Sequence, residues 1–333
     1  MDSFTQIVLG AAVGEAVLGK KVGNKALLWG AVAGTIPDLD VFLVPLFNDV
    51  DALYIHRGYS HSLLFSFLLA PILGFIITKI YKKNRQATFK QWTTLAFLSL
   101  VTHPLLDIFT IYGTPLFLPF SDYRIAFCSV NVVDFFYTVP FLISVLIILF
   151  SRKKIKLRRI ASFTGLTLST LYLMFTLINK FYIDDFFVKE LKKQDFKFTQ
   201  IKTTPLPGTN FLWQCAAKTD SGFYLGLHSI IKDKSQVDFY FIPQNKNLIN
   251  NIKNNTELQK LINFTSGFYV LEQKNDTIIL SDLKFGKTGF KKQSKFIFSF
   301  YILNNQNNIQ IERHMYIPQR KSLFVKNLFK RTF

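Results

Sequence analysis

Four stretches of this chain carry no charged side chain: residues 62–78, 91–106, 135–150 and 160–179. In hydrocarbon every backbone polar group must be satisfied within its own segment, and a helix of roughly 17–25 apolar residues crosses about 30 Å. These windows therefore predict transmembrane helices, the shorter ones extending past a single Asp. Residues 3–19, with Glu15 as the lone charge, and 26–47, with only Asp38 and Asp40, are interrupted candidates. The expectation is an α-helical polytopic membrane domain of five or six transmembrane segments. A hydrophobic content of 49% beside a formal net charge of +19 fits that reading and excludes an ordinary soluble domain. The start, Met1-Asp2-Ser3, has no basic stretch, and Gly10, Gly14 and Gly19 interrupt the apolar run, so the first helix is expected to be retained rather than cleaved.

Basic residues orient such a domain, because Lys and Arg in short loops stay on the cytoplasmic side. Of sixteen in residues 1–179, fourteen fall in three clusters: Lys20, Lys21 and Lys25; Lys79, Lys82, Lys83, Arg85 and Lys90; and Arg152, Lys153, Lys154, Lys156, Arg158 and Arg159. With all three inside, six segments alternate: 3–19 inward, 26–37 outward, 62–80 inward, 91–112 outward, 132–150 inward and 160–179 outward. Asp38, Asp40, His56, His61, His103, Asp107 and Asp134 then all come out on the outer face, with Arg57 and Arg124.

These residues carry the chemistry. His56-Arg57-Gly58-Tyr59-Ser60-His61-Ser62 sets two imidazoles, a guanidinium and three hydroxyls just before an apolar run. Ionisable groups are costly at a membrane boundary, and His with Asp is a metal-ligand combination. Pro37 is expected to end a helix, leaving Asp38-Leu39-Asp40 as a turn with two carboxylates. His103 and Asp107, four apart, share a helix face, and Pro104 between them predicts a kink or break. Asp134 is the only charge between 127 and 151 and needs a partner. The candidate ligands are His56, His61, His103 and Asp107, with Asp38, Asp40 or Asp134 as further ligands or supports. Mixed imidazole and carboxylate suits a divalent ion, zinc first and Mn or Fe next. Asp40 is the expected base beside a metal-activated water, and Arg57 and Arg124 the expected contacts to a phosphate oxygen.

From about residue 181 the composition shifts to Lys, Asn, Phe, Thr and Ile. Runs such as Phe239–Ile242, Phe268–Leu271, Thr277–Leu280 and Phe296–Phe300 read as short strands bounded by Gly, Asn and Asp. The expected division is a membrane domain over 1–180 and a small extracytoplasmic β-rich domain over 181–333. His228 and His314 have no carboxylate pattern and stay outside the site. Cys128 and Cys215 form no metal pattern, and nothing resembles a nucleotide fingerprint. The basic excess is read as a surface toward anionic membrane lipid, not a nucleic-acid groove.

The Met1-Asp2-Ser3-Phe4-Thr5 start, the Gly34-Thr35-Ile36-Pro37-Asp38-Leu39-Asp40 turn, the His56–Ser62 box and His103-Pro104-Leu105-Leu106-Asp107 with Thr110 and Gly113 resemble the YdjM-type inner-membrane metal-dependent hydrolases over about residues 1–150. Asp134 resembles that family's late acidic position. Many members carry Thr-His where this chain has Thr5-Gln6. The resemblance implies an inner-membrane location and hydrolysis; a guanidinium beside metal-type histidines points to a phosphoester, and the membrane surface to a lipid-linked one. Two other classes compete: a metal-ion transporter, whose polar residues would continue inward where 68–78 and 141–150 are apolar, and a non-catalytic scaffold presenting the β domain.

Overall fold

A computed structural model describes residues 1–83, 86–232, 236–305, 308–317 and 321–332. Arg85 of the second basic cluster lies outside them. The chain divides into two compact units, Met1–Leu46 with Tyr54–Leu177, and Phe47–Leu53 with Ile178–Phe333.

The first unit is helical: α1 Ser3–Val22, α2 Asn24–Thr35, a short α3 Ala52–Ile55 that straddles the division, α4 Leu63–Ile80, α5 Phe89–Asp107, α6 Phe135–Phe150 and the first part of α7 Ile155–Lys193. Asp2 caps α1 by accepting from the Thr5 N–H at 3.0 Å. Thr88 and Gln91 form a capping box at the start of α5. Small residues set the crossing of α1 and α2, where a Cβ on Gly10 would run into the Gly30 carbonyl. Val8, Leu9, Ala12 and Val13 of α1 pack with Leu106, Val130, Tyr137 and Phe141 in one buried cluster.

Among the described residues three spans are long and apolar enough to cross a membrane: Asn24–Leu46, Leu63–Ile80 and Ile155–Lys193; the apolar α6 is shorter. Two local expectations change. Pro37 does not leave a simple turn, because the chain tightens into a 3₁₀ helix over Ile36–Phe42 with Pro in its first turn. Pro104 does not break α5, which runs through to Asp107.

Helix α7 also continues beyond residue 179. Its charged residues Asp184, Asp185, Lys189 and Glu190 end the apolar window, yet Ile183, Phe187 and Leu191 recur at four-residue spacing and bury against Trp213, Cys215 and Ala217. The second unit holds two four-stranded antiparallel meanders. One is β1 Gln200–Pro205, β2 Leu212–Lys218, β3 Gly222–Ser229 and β4 Tyr240–Pro243. The other is β5 Tyr269–Lys274, β6 Thr277–Lys287, β7 Phe296–Asn305 and β8 Asn308–Met315. The four strand runs read from the sequence overlap β4, β5, β6 and β7, with Phe239 and Phe268 standing one residue ahead of their strands. Alternation puts Phe298, Phe300 and Ile302 on the buried face of β7. Two further helices are α8 Thr256–Phe264 and α9 Lys321–Thr332. Both cysteines are buried and free.

Candidate metal centre

Three pieces of chain converge in the helical unit. In the 3₁₀ helix after α2 successive residues turn by about 120°, so Asp38 and Asp40, two apart, aim at different neighbours. The segment from Ile55 to Ser62 curls back with Arg57 at a φ of 57°, a left-handed conformation that costs a Cβ-bearing residue about 1–2 kcal/mol. Its backbone N–H donates to Asp40 Oδ2 at 2.9 Å, which holds it there. A Cβ at Gly58 would meet the Tyr54 carbonyl at 2.7 Å, so this bend requires glycine. The third piece is the C-terminal turn of α5, where His103 and Asp107 share the predicted face.

Four donor atoms meet there. His61 Nε2 lies 3.1 Å from His103 Nε2. Asp38 Oδ1 is 3.5 Å from the first and 3.4 Å from the second. Asp107 Oδ2 is 3.4 Å from His61 Nε2 and 3.8 Å from His103 Nε2. Ligands at zinc distances on a tetrahedron stand about 3.4 Å apart. The five separations scatter around that value.

The proton positions strengthen the fit. His103 Nδ1 is 2.6 Å from the Gly34 carbonyl oxygen, so Nδ1–H donates to it and Nε2 carries a lone pair. His61 Nδ1 lies 2.9 Å from Ser60 Oγ, which gives its own proton to Asp40 Oδ2, and 3.3 Å from that carboxylate oxygen, so Nδ1 carries the proton here too. Two lone pairs then face each other at 3.1 Å beside two carboxylates, a repulsive set unless a cation or proton sits among them. Asp107 Oδ2 is buried and accepts no hydrogen bond, although the Arg57 guanidinium faces it as an ion pair at 3.2 Å. The same Asp38, His61 and His103 form the metal-capable group found among the described residues.

The other expected residues surround this set without joining it. Asp40 accepts from His56 Nδ1 at 2.9 Å, from Ser60 Oγ at 2.8 Å and from the Arg57 N–H, so its oxygens orient neighbours. His56 stands outward of Asp40, its side chain 32% exposed, against the Tyr112 ring. Arg57 is buried: its Nε pairs with Asp107 Oδ2 at 3.2 Å and its Nη1 donates to Thr110 Oγ1 at 2.7 Å. Arg124 donates to the carbonyls of Gly113 and Tyr54 at 3.3 and 3.4 Å and lies over the Tyr54 ring, tying down the irregular 113–131 loop. Asp134 caps α6 by accepting from the Tyr137 N–H, and accepts from the Tyr172 hydroxyl at 2.9 Å, within the helix packing. Gln6 Nε2 donates to Asp107 Oδ1 at 3.1 Å, so the position where many relatives of this type carry His does reach the site.

Sequence reasoning missed Ser3, which donates to Asp38 Oδ2 at 2.6 Å, the Gly34 carbonyl, and Tyr112. The Met1 amino group also donates to Asp107 Oδ1. Ser3 and Gly34 both sit inside recognisable motifs, but neither residue type signals a site by itself.

A family described as YdjM inner membrane protein matches residues 1–183, all the elements that build this site. The chain belongs to the YdjM inner membrane protein family. Among curated relatives, YfhP of Bacillus subtilis (strain 168) is 32% identical over 154 residues, covering 44% of this chain and 46% of YfhP. The inner membrane protein YbcI of Escherichia coli (strain K12) is 33% identical over 110 residues, 32% of this chain and 61% of YbcI. The chain thus spans about half the length of the curated relatives it matches. No solved structure matches it. The YdjM match and the apolar helices support a membrane location; the YdjM name assigns no reaction.

Proposed function

We propose that this chain is a metal-dependent hydrolase of the cytoplasmic membrane, acting on a phosphoester or lipid-linked substrate at the outer membrane face. The observation that carries the reading is the convergence of His61 Nε2, His103 Nε2, Asp38 Oδ1 and Asp107 Oδ2, the imidazole nitrogens 3.1 Å apart and each carboxylate oxygen 3.4–3.8 Å from both. Bound by these four, a divalent ion such as zinc supplies Lewis acidity that acidifies water and polarises a phosphoryl oxygen.

The side chains divide the remaining work. Asp40 fixes the tautomers of His56 and His61, which is orientation in place of the basic role expected from its sequence position. His56 donates Nδ1–H to Asp40, which leaves the lone pair on Nε2, and its side chain is partly exposed, so His56 takes the proton from the attacking water. Arg57, buried on Asp107, offsets a carboxylate charge and steadies it. Arg124 holds the loop over the site. Exposed apolar side chains on the same elements, Phe42, Leu46, Tyr59, Phe117, Phe120 and Tyr123, suit insertion among lipid chains and favour a lipid-borne substrate. The ligands lie at the Gln6 end of α1, roughly 20 Å along the helix from Lys20 and Lys21, in keeping with six alternating segments and the basic clusters inside. Inner portions of α4 and α6 are apolar, which speaks against an ion path.

The test is hydrolysis of a phosphoester panel that includes short-chain lipid phosphates, by purified protein before and after chelation. Turnover of at least one member, abolished by chelator, restored by zinc or manganese and lowered about 100-fold in His56→Ala at unchanged metal content, is expected. Turnover that survives chelation and His61→Ala, or no turnover of any member, overturns the hydrolase reading.

A further inference from the structure

A second site stands in the β unit, built from residues that the metal centre does not use. A groove of about 640 Å³ opens over one face of the second sheet and against strand β4. The register puts Val270, Glu272 and Lys274 of β5, Ile279 and Ser281 of β6, and Ser299 and Tyr301 of β7 on that face. Lys287, Lys292 and Lys295 stand along its wall.

Aromatic rings position these ammonium groups. Lys287 Nζ lies 4.7 Å from the Phe296 ring centroid and 5.1 Å from that of Tyr240. Lys292 Nζ stands 5.4 Å from the same Tyr240 ring, and Lys295 Nζ 4.3 Å from Tyr316. Tyr316 is itself hydrogen-bonded to Tyr301 on the floor. A ring face orients a cation without neutralising it. Among the described residues none of Lys274, Lys287, Lys292 and Lys295 forms an ion pair with a carboxylate. Glu272 is the one acidic residue in the lining. Lys287 spends one N–H on the Lys292 carbonyl at 2.7 Å, leaving two. Burial lowers its ammonium to about 8, a charge that an anion in the groove would stabilise.

The floor and the adjoining strand add apolar surface. Val270, Ile279 and Ile242 line the groove, and Tyr240, Lys287 and Phe296 also line a narrow apolar cavity between the sheets with Leu225, Leu283 and Phe290. A bare inorganic anion would leave that surface unused.

We propose that this groove binds an organic phosphate, its phosphate on Lys287, Lys292 and Lys295 and its uncharged body along Ile242, Val270 and Ile279. Lysine serves phosphate as a mobile point charge with three donors, and three of them, none held in an ion pair among the described residues, outnumber the single Glu272 carboxylate here. The phosphate comes from a lipid headgroup or from a soluble ester, two sources that share this chemistry. The site does not depend on the hydrolase reading.

Calorimetric titration of the full chain in an uncharged detergent tests it, with glycerol 1-phosphate, dioctanoylphosphatidylglycerol and phosphate-free dioctanoylglycerol as probes. The His61→Ala variant serves as background, so that the metal centre contributes nothing. At least one phosphate probe binds, more weakly at higher salt, and the Lys287→Gln/Lys295→Gln double variant raises its Kd about tenfold or more. Glu272→Gln lowers the Kd several-fold, a gain that misfolding cannot produce. Tighter binding of dioctanoylphosphatidylglycerol than of glycerol 1-phosphate assigns the lipid source, and equal binding the soluble one. The proposal is overturned if neither phosphate probe binds, if dioctanoylglycerol binds as tightly as its phosphorylated counterpart, or if the lysine and Glu272 variants leave the Kd unchanged.

Discussion

Four donors converge on one carboxylate: Asp40 accepts from the Arg57 N–H and Ser60 Oγ, and faces Nδ1 of both His56 and His61. Converting one oxygen to an amide sets N–H against N–H at this crowded position and frees the tautomer of His61. Asp40→Asn is expected to weaken zinc binding 10- to 100-fold, as read by competition with a chromophoric chelator, while the helical content holds. Unchanged affinity would remove Asp40 from its orienting role. His103 and Asp107 were legible in the sequence because His and Asp four apart, in a segment otherwise free of charge, have few structural uses; His61 was read from the box ahead of α4, and Asp38 only as one of three carboxylates that could ligate or support. The separate duty of His56 was not legible. It depends on the left-handed Arg57 and the Gly58 bend, which turn two histidines five apart to opposite sides of Asp40. Nor could Ser3 or the Gly34 carbonyl be found, since one is a common hydroxyl and the other a backbone atom.

At the scale of elements, the far end of α1 is locked by a buried ion pair. Arg158 Nε donates to Glu15 Oε1 at 2.9 Å and its Nη2 to Oε2, while Nη1 donates to Asn24. Both charged residues are less than 10% exposed. In the sequence Glu15 appeared as a lone charge interrupting a helix and Arg158 as one member of a basic cluster; only the packing of α7 against α1 shows that each answers the other. Truncating one partner strands the other charge, so Arg158→Ala should cost about 3–5 kcal/mol, seen as a lowered unfolding midpoint in detergent. The Glu15→Gln/Arg158→Met double variant should recover part of that loss. Equal midpoints for wild type and Arg158→Ala would contradict the pairing. Helix existence was legible from charge-free windows. Helix ends were not, because an apolar run stops at charge whereas α7 continues on an apolar stripe of one residue in four.

For the whole molecule, the alternation of the three basic clusters makes a directional prediction. In a background lacking Cys128 and Cys215, Tyr123→Cys and Gln259→Cys should react with an impermeant maleimide on intact cells, and Lys83→Cys and Lys153→Cys only after lysis. The reverse pattern would invert the topology and place the metal centre inside. The β unit was legible as strands through its alternating aromatic runs, but β1, β2, β3 and β8 were not among those runs and were seen only as sheet partners. The grouping of lysines around Tyr240, Phe296 and Tyr316 needs residues from three strands and a loop, a proximity that linear spacing does not record. In the helical unit, His61, His103, Asp38 and Asp107 are proposed to hold one divalent ion. Elemental analysis of protein purified without added metal or chelator, set beside His61→Ala and Asp107→Ala, measures this directly. About one zinc, manganese or iron per chain in the wild type and less than a tenth of that in both variants is the expected result. No retained or rebound metal in the wild type, or equal content in all three proteins, would contradict it.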